Sequence, residues 1–171
     1  ERAIIVNGVS KAYAMTGWRI GYIAAPEWIV KGCNKLQGQY TSGPCSVSQK
    51  AAEFAYTASQ ECVEQMRVAF ERRRDLIVQL AKEIPGLEVN VPEGAFYLFP
   101  KCSSFFGKSD GTTTINNSTD LALYLLEKGH VATVGGDAFG DAECFRMSYA
   151  TSDDNIREAM RRIKQALAAL K

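Results

Sequence analysis

Residues 10–22 read Ser-Lys-Ala-Tyr-Ala-Met-Thr-Gly-Trp-Arg-Ile-Gly-Tyr and lie between two short apolar runs. The first run, residues 3–6, is Ala-Ile-Ile-Val, and its β-branched residues favour a strand that is buried on both faces. The second run, residues 20–25, ends at Pro26. The stretch between them is too polar for a strand and too interrupted by glycine for a regular helix. We therefore predict an irregular loop between two core strands, a kind of segment that often carries function.

Two cationic residues in this loop, Lys11 and Arg19, are eight positions apart. A partly desolvated lysine loses some of its preference for the charged form, and a neutral amine can attack a carbonyl carbon. The planar fork of an arginine side chain matches two oxygens of a phosphate or a carboxylate. The simpler interpretation is a pair of solvated loop charges, and residue type alone favours that interpretation.

Apolar periodicity and capping residues predict five helices in the remaining sequence. The first is a short helix over residues 27–36, and the second follows Pro44, with Val47 and Phe54 on one face. A long amphipathic helix then ends at Pro85-Gly86. A fourth helix is predicted to begin with Ser118 as its cap and to stop at Gly129, and a fifth is predicted to begin after Ser152. Strands are predicted at residues 87–91, 95–99, 131–134 and 144–149.

Composition narrows the class of protein. The 171 residues include 20 Lys and Arg against 19 Asp and Glu, a net charge of +1 that argues against a nucleic-acid partner. No apolar stretch approaches the roughly 20 residues of a membrane-spanning helix, and no secretory signal is recognisable. The five cysteines are irregularly spaced, which favours reduced thiols and a cytoplasmic location. The single histidine, His130, argues against the usual zinc sites, so no metal is expected.

The loop sequence closely resembles the signature of the class I pyridoxal-phosphate aminotransferases, specifically the bacterial-type aspartate aminotransferase branch. In that family a lysine at the position of Lys11 forms the covalent link to pyridoxal 5'-phosphate. An arginine eight residues later, at the position of Arg19, binds the cofactor phosphate. Many members have a phosphate-binding serine three residues before the lysine, where this chain has Gly8.

Later segments also resemble this family. Residues 144–150, Cys-Phe-Arg-Met-Ser-Tyr-Ala, resemble the strand whose arginine binds the substrate α-carboxylate, which implies that role for Arg146. A salt bridge at the rim of the sheet is the simpler alternative for a lone arginine. Residues 93–97 resemble the strand that brings an aromatic ring towards the substrate, which makes Phe96 a candidate pocket wall or, alternatively, a core residue. Residues 135–140 resemble a Pro-Gly-x-x-Phe-Gly loop with Gly135 in place of proline, a change expected to loosen the loop.

The resemblance implies an α/β chain that forms the C-terminal part of the fold-type I pyridoxal-phosphate-dependent transferase fold. It implies that residues 1–64 end the large cofactor-binding domain and that residues 65–171 form the interdomain helix and the small C-terminal domain. The family's ring-stacking residue and the partner of its pyridine nitrogen would lie in an N-terminal part that these residues do not include. These residues alone are therefore expected to be inactive. The resemblance also implies a homodimer in the full-length enzyme.

The implied reaction is transamination between an L-amino acid and a 2-oxo acid, with aspartate and the glutamate/2-oxoglutarate pair as substrates. Alternatives within the fold are a different amino-acid or prephenate aminotransferase and a carbon–sulfur lyase, since both would retain Lys11, Arg19 and Arg146. A non-catalytic folding or dimerisation fragment is an alternative from another class. A nucleotide-binding domain is disfavoured, because no Gly-x-Gly-x-x-Gly sequence follows a predicted strand.

Overall fold

A computed structural model describes residues 2–171 and divides the chain into two compact units. Unit 1 ends at Met66, and unit 2 comprises Arg67–Lys171. The boundary between them falls inside a continuous helix, α3, which runs from Glu61 to Lys82. Within the described residues, no helix combines the length and the apolar character that crossing a lipid bilayer requires.

Unit 1 contains the two strands that flank the Lys11 loop. Strand β1 (Ile5–Gly8) pairs antiparallel with β2 (Gly21–Ala24), in a register that sets Gly8 opposite Gly21. Both strands were predicted, and the β-branched run of the first favours burial on both faces, which the described residues do not provide. Ile5 is 58% exposed and Val6 is 76% exposed, because the two strands form a sheet with no third strand from residues 2–171.

Two helices follow in unit 1. Helix α1 (Glu27–Tyr40) extends four residues beyond the predicted end, and Gly38 is accommodated inside it. Helix α2 (Ser46–Thr57) begins two residues after Pro44, which was predicted to lie at its start, and Cys45 is its N-cap. The apolar face that was predicted for α2 is not its buried face. Val47 is 66% exposed and Phe54 is 72% exposed, whereas the small residues Ser48 and Ala52 are buried.

Unit 2 contains most of α3 together with α4 (Ser118–Gly129) and α5 (Asp153–Ala168). Ser152 caps α5 as predicted, because its hydroxyl accepts the Asn155 N–H at 3.2 Å. Helix α4 ends at Gly129 as predicted, but the predicted N-cap, Ser118, is wrong. Its N-cap is Asn117, whose side chain accepts the Asp120 N–H, while the C-terminal left-handed residue is His130, at φ 53°, rather than Gly129.

A small antiparallel sheet holds the remaining strands of unit 2. Its strands are β3 (Tyr97–Leu98), β4 (Val134–Gly135) and β5 (Phe145–Ser148), in the spatial order β3-β5-β4. All three are shorter than predicted, and the predicted strand over residues 87–91 is reduced to one bridge between Glu88 and Lys101. The last strand in the sequence therefore lies at the centre of the sheet and has a neighbour on each side.

The hydrophobic core lies in unit 2 and joins this sheet to the helices. Helix α3 contributes only its C-terminal part, through Ile77, Val78 and Ala81. The predicted apolar stripe of the last helix is buried throughout: Ile156, Met160, Ile163, Leu167 and Leu170. Helices packed on a sheet confirm the α/β class that the sequence indicated.

Candidate active site

The loop that carries Lys11 is fixed at several points around the lysine. Val9 is fully buried directly after β1, whereas Lys11 itself lies in an exposed turn. The Ala14 N–H donates to the Lys11 carbonyl at 3.1 Å, and the Thr16 hydroxyl donates to the Ser10 carbonyl at 3.1 Å. These bonds hold the backbone on both sides of Lys11 and leave its side chain at the surface of the loop.

Tyrosines anchor the same loop to the helices of unit 1. The Tyr13 hydroxyl donates to the Gln60 side-chain oxygen at 2.7 Å, and the Gln60 amide donates to two carbonyls at the end of α2. The Tyr56 ring packs edge-on against Tyr13 and Tyr22, with centroid distances of 5.2 and 5.8 Å. Hydrogen bonding to Tyr22 raises the pKa of Tyr56 to about 12, so the Tyr56 hydroxyl keeps its proton at neutral pH. Its members are far apart in sequence, and no local pattern indicated them.

Arg19 lies at the other end of the loop, just before β2. It follows a single 3-10 turn, Thr16–Trp18, and has a left-handed backbone with φ 55°. Its guanidinium donates to the Thr16 carbonyl at 3.1 Å, and its side chain is exposed. Since Gly8 and Gly21 are paired, the residues that follow β1 and precede β2 emerge at the same end of the ribbon. The structure thus places Lys11 and Arg19 in the one loop that joins β1 to β2.

Gly8 permits a close approach of two backbone segments at the base of this loop. A Cβ atom at this position would lie 2.8 Å from the Ile20 carbonyl oxygen and 3.2 Å from the Gly21 Cα atom. Both obstacles are backbone atoms, so a serine here would require the strands to separate. A phosphate contact from a serine at this position is therefore not compatible with the observed pairing of β1 and β2.

Arg146 lies in β5, the central strand of the unit 2 sheet, opposite Val134 of β4. Its side chain is half-buried. The guanidinium carbon lies 4.4 Å from the Tyr97 ring centroid and 4.0 Å from the Phe139 ring centroid, over both rings. No acidic side chain among residues 2–171 lies within ion-pair distance of it, so the alternative of a rim salt bridge has no partner here.

The other arginines show how unusual this environment is. Six arginines in the described part of the chain form ion pairs with carboxylates: Arg67, Arg72, Arg73, Arg74, Arg161 and Arg162. Of those without such a pair in residues 2–171, Arg146 is half-buried, whereas Arg2, Arg19 and Arg157 are exposed. Partial burial of a cation without a counter-ion is unfavourable, and a bound carboxylate would supply the missing charge.

Phe96 lies in the same unit, next to β3. It is half-buried, and its ring centroid is 4.5 Å from that of Tyr97 and 6.0 Å from that of Phe70. Tyr149 fixes the backbone on either side, because its hydroxyl donates to the Ala95 carbonyl at 3.1 Å and its N–H donates to the Phe96 carbonyl at 3.0 Å. Phe96 packs against the hydrophobic core of unit 2, and its role as a substrate wall stays a prediction.

The loop that begins at Gly135 follows β4 and includes Phe139. Gly135 is paired with Phe145 of β5, and a Cβ atom there would lie 2.6 Å from the Thr119 hydroxyl and 3.1 Å from its backbone. Glycine rather than proline at position 135 therefore allows the backbone to pack closely against the start of α4. Pairing with Phe145 holds the backbone of Gly135, and the expected loosening of the loop stays a prediction.

Comparisons with known proteins assign this chain to a family. Residues 1–163 match the family described as Aminotransferase class I and II. The chain is 50% identical over 175 residues to the bifunctional aspartate aminotransferase and glutamate/aspartate-prephenate aminotransferase of Petunia hybrida. This match covers all of the present chain and 36% of the Petunia protein. It is 48% identical to an aspartate aminotransferase of Rhizobium meliloti, which matches 97% of this chain, and this match covers 41% of that protein.

Solved structures give the same assignment. The crystal structure of the aspartate aminotransferase from Rhizobium meliloti matches the whole chain with a TM-score of 0.95 and 46% identity, over 43% of its own length. An aromatic aminotransferase from Pyrococcus horikoshii matches 98% of the chain with a TM-score of 0.86 and 38% identity, again over 43% of its length. The chain thus spans about two-fifths of the length of the relatives it matches. It belongs to the class I and II aminotransferases and forms part of their α/β fold.

Proposed function

We propose that the whole protein transfers an amino group between L-aspartate and a 2-oxo acid, with glutamate and 2-oxoglutarate as the partner pair and pyridoxal 5'-phosphate as the cofactor. The main support for this proposal is the loop at one end of the β1–β2 hairpin, which contains Lys11 and Arg19 and is held by internal hydrogen bonds. Family membership and the names of the relatives support the same reaction.

The residues of this loop fit the chemistry of the cofactor. Pyridoxal phosphate carries an aldehyde, with which a lysine amine can combine, and a phosphate, which an arginine can bind through two oxygens. Lys11 and Arg19 supply these two groups, and the Arg19 side chain has no competing carboxylate among residues 2–171. When bound, the cofactor supplies an electron sink for charge that develops at the substrate α-carbon.

Lys11 has a second role in the proposed reaction. In that role, Nζ of Lys11 would take the proton from the substrate α-carbon and return it to another carbon of the reacting system. This proton transfer requires the neutral amine at a fixed position. The hydrogen bonds that hold the backbone around Lys11 provide that position.

Arg146 binds the substrate in this proposal. An amino acid and its 2-oxo acid both carry a carboxylate next to the reacting carbon, so one bidentate anchor can serve both half-reactions. The half-buried guanidinium without an acidic partner in the described chain supports this role. Phe96 is proposed as a wall of the same pocket.

We further propose that residues 1–64 end the large cofactor-binding domain and that residues 65–171 form the interdomain helix and the small domain. The whole protein is proposed to act as a cytoplasmic homodimer. Five free cysteines in the structure are consistent with a reducing compartment.

Chemical labelling tests the assignment of the lysine. Borohydride reduction of the holoprotein, followed by digestion and peptide mapping, should fix a pyridoxyl group to Lys11. Lys31, Lys35 and Lys50 lie in unit 1 as well and serve as internal controls. A label on any of these three residues instead would refute the assignment.

Activity measurements separate the candidate reactions. The purified whole protein should convert aspartate and 2-oxoglutarate into oxaloacetate and glutamate. The name of the Petunia relative makes prephenate the second amino acceptor to test. Release of sulfide from cysteine or cystathionine without amino transfer would favour a lyase and contradict the proposal.

A further inference from the structure

The aromatic rings around Arg146 come from both neighbours of its strand. Tyr97 belongs to β3 and Phe139 ends the turn that follows β4, so the order β3-β5-β4 places one ring on each adjacent segment. We propose that Tyr97 and Phe139 are positioning residues that hold the Arg146 guanidinium for the substrate carboxylate. This inference rests on the proposed function of Arg146.

The chemistry of the two contacts favours this role. An aromatic face attracts a cation within about 6 Å of the ring centroid, and both distances at Arg146 are well inside that limit. A ring face stabilises the charge without accepting the directed N–H bonds that a carboxylate would take up. The guanidinium therefore keeps its hydrogen-bond donors for a ligand while its position is restricted. An acidic side chain at the same place would compete with the substrate.

Phe139 is itself held in place by the loop that carries it. Its ring meets the Phe99 ring edge-on, at a centroid distance of 6.3 Å and an angle of 90°. The turn begins at Gly136, whose N–H donates to the buried Ser118 hydroxyl at 3.1 Å. A Cβ atom at Gly136 would overlap the carbonyl oxygens of Asp141 and Cys144, so the turn depends on this glycine. The ring thus has a fixed position against which the arginine can rest.

Substitution of the rings in the whole holoprotein tests the inference. Phe139→Leu and Tyr97→Leu should each raise KM for aspartate about 3- to 30-fold, with a smaller change in kcat, because the cation loses a partly desolvated ring contact. A second amino donor, such as alanine, should show the same factor, since both donors share the α-carboxylate. Tyr97→Phe retains a ring and should retain most of the affinity. Phe139 is 43% exposed, so its replacement by leucine should not prevent folding.

A double-mutant cycle distinguishes positioning from a general structural effect. In an Arg146→Ala background, Phe139→Leu should have little further effect on KM, because the contact it removes is already lost. Phe106→Leu is the control, since Phe106 packs against the core of unit 2 without lying over Arg146. It should leave KM unchanged in both backgrounds.

The outcomes separate this inference from the proposed function. If Arg146→Ala leaves KM unchanged for both donors, the proposed role of Arg146 fails and the inference fails with it. If Arg146→Ala raises KM strongly but the ring substitutions do not, the inference alone is overturned. Equal effects of Phe139→Leu in the parent and in the Arg146→Ala background would likewise overturn it.

Discussion

Gly8 provides the sharpest test of the loop geometry, because family resemblance and local structure predict opposite results there. Many family members have a phosphate-binding serine at this position, which suggests that Gly8→Ser would improve cofactor binding. In the structure, however, a Cβ atom at Gly8 lies 2.8 Å from the Ile20 carbonyl oxygen and 3.2 Å from the Gly21 Cα atom. We therefore expect Gly8→Ala and Gly8→Ser to destabilise the protein.

The size of the effect follows from two opposing contributions. Forcing extra atoms into a filled space typically costs about 1–3 kcal/mol. Replacing glycine by alanine restricts the unfolded chain and returns roughly 0.4–1 kcal/mol where the backbone conformation is compatible. The φ angle of Gly8 is outside the left-handed region, so this compensation applies. The net destabilisation should be on the order of 1–2 kcal/mol.

The assay compares Gly8→Ala with Gly17→Ala in the whole protein. Gly17 lies in the same loop, has no atom within 4 Å of a Cβ position and is also outside the left-handed region. Its replacement should therefore leave thermal stability unchanged or raise it slightly. Thermal unfolding gives the stabilities, and equilibrium dialysis gives retention of pyridoxal phosphate, which should fall for Gly8→Ser.

Two results would refute this reasoning. Equal stability of Gly8→Ala and Gly17→Ala would mean that the strands separate at no cost. Tighter retention of the cofactor by Gly8→Ser, at unchanged stability, would mean that a serine fits at Gly8 and reaches the phosphate.

Four further predictions concern single side chains. Ser152→Ala should destabilise unit 2 by about 0.5–2 kcal/mol, as measured by urea unfolding, because the N-cap of α5 loses its acceptor. Hydrogen bonding to Arg161 and its neighbour lowers the pKa of Glu158 from 4.5 to about 2, so the stability it contributes is present above pH 4.5 and is lost as the pH falls towards 2. The melting temperature of Glu158→Gln should therefore depend less on pH between these values than that of the parent protein. In acid, the two melting temperatures should become equal. Arg19→Ala should weaken retention of pyridoxal phosphate by roughly 1.5–3 kcal/mol in a dialysis assay. Arg146→Lys should leave the cofactor bound. Its affinity for amino donors should lie between that of the parent protein and that of Arg146→Ala, because an ammonium group cannot make the two-point contact of a guanidinium.

The sequence predicted the elements whose signal is local. The stripe of α5 and the hydroxyl of Ser152 lie within one helix, so their spacing was sufficient. The start of α4 shows where local signals fail. Asn117 and Ser118 are both suitable caps, and the choice is made by the Gly136 N–H, which engages the Ser118 hydroxyl from 18 positions away.

The candidate site shows the same division. Lys11 and Arg19 are eight residues apart in one loop, and the sequence indicated both as candidates. The rings over Arg146 belong to Tyr97, 49 positions before it, and to Phe139, 7 positions before it. Only the strand order of the sheet brings both rings to this one side chain. Ile5 and Val6 are exposed although a β-branched run favours burial, because burial depends on neighbouring strands and β1 has only β2 beside it in residues 2–171.

Arg146, both of its rings, the glycine that shapes the Phe139 turn and the core beneath them all lie within one uninterrupted stretch, Arg67–Lys171. A genetic exchange between related genes with a crossover near the start of this stretch would carry the arginine and everything that holds it in a single step. The arginine that is proposed to bind the substrate carboxylate can therefore be inherited together with the residues that hold it.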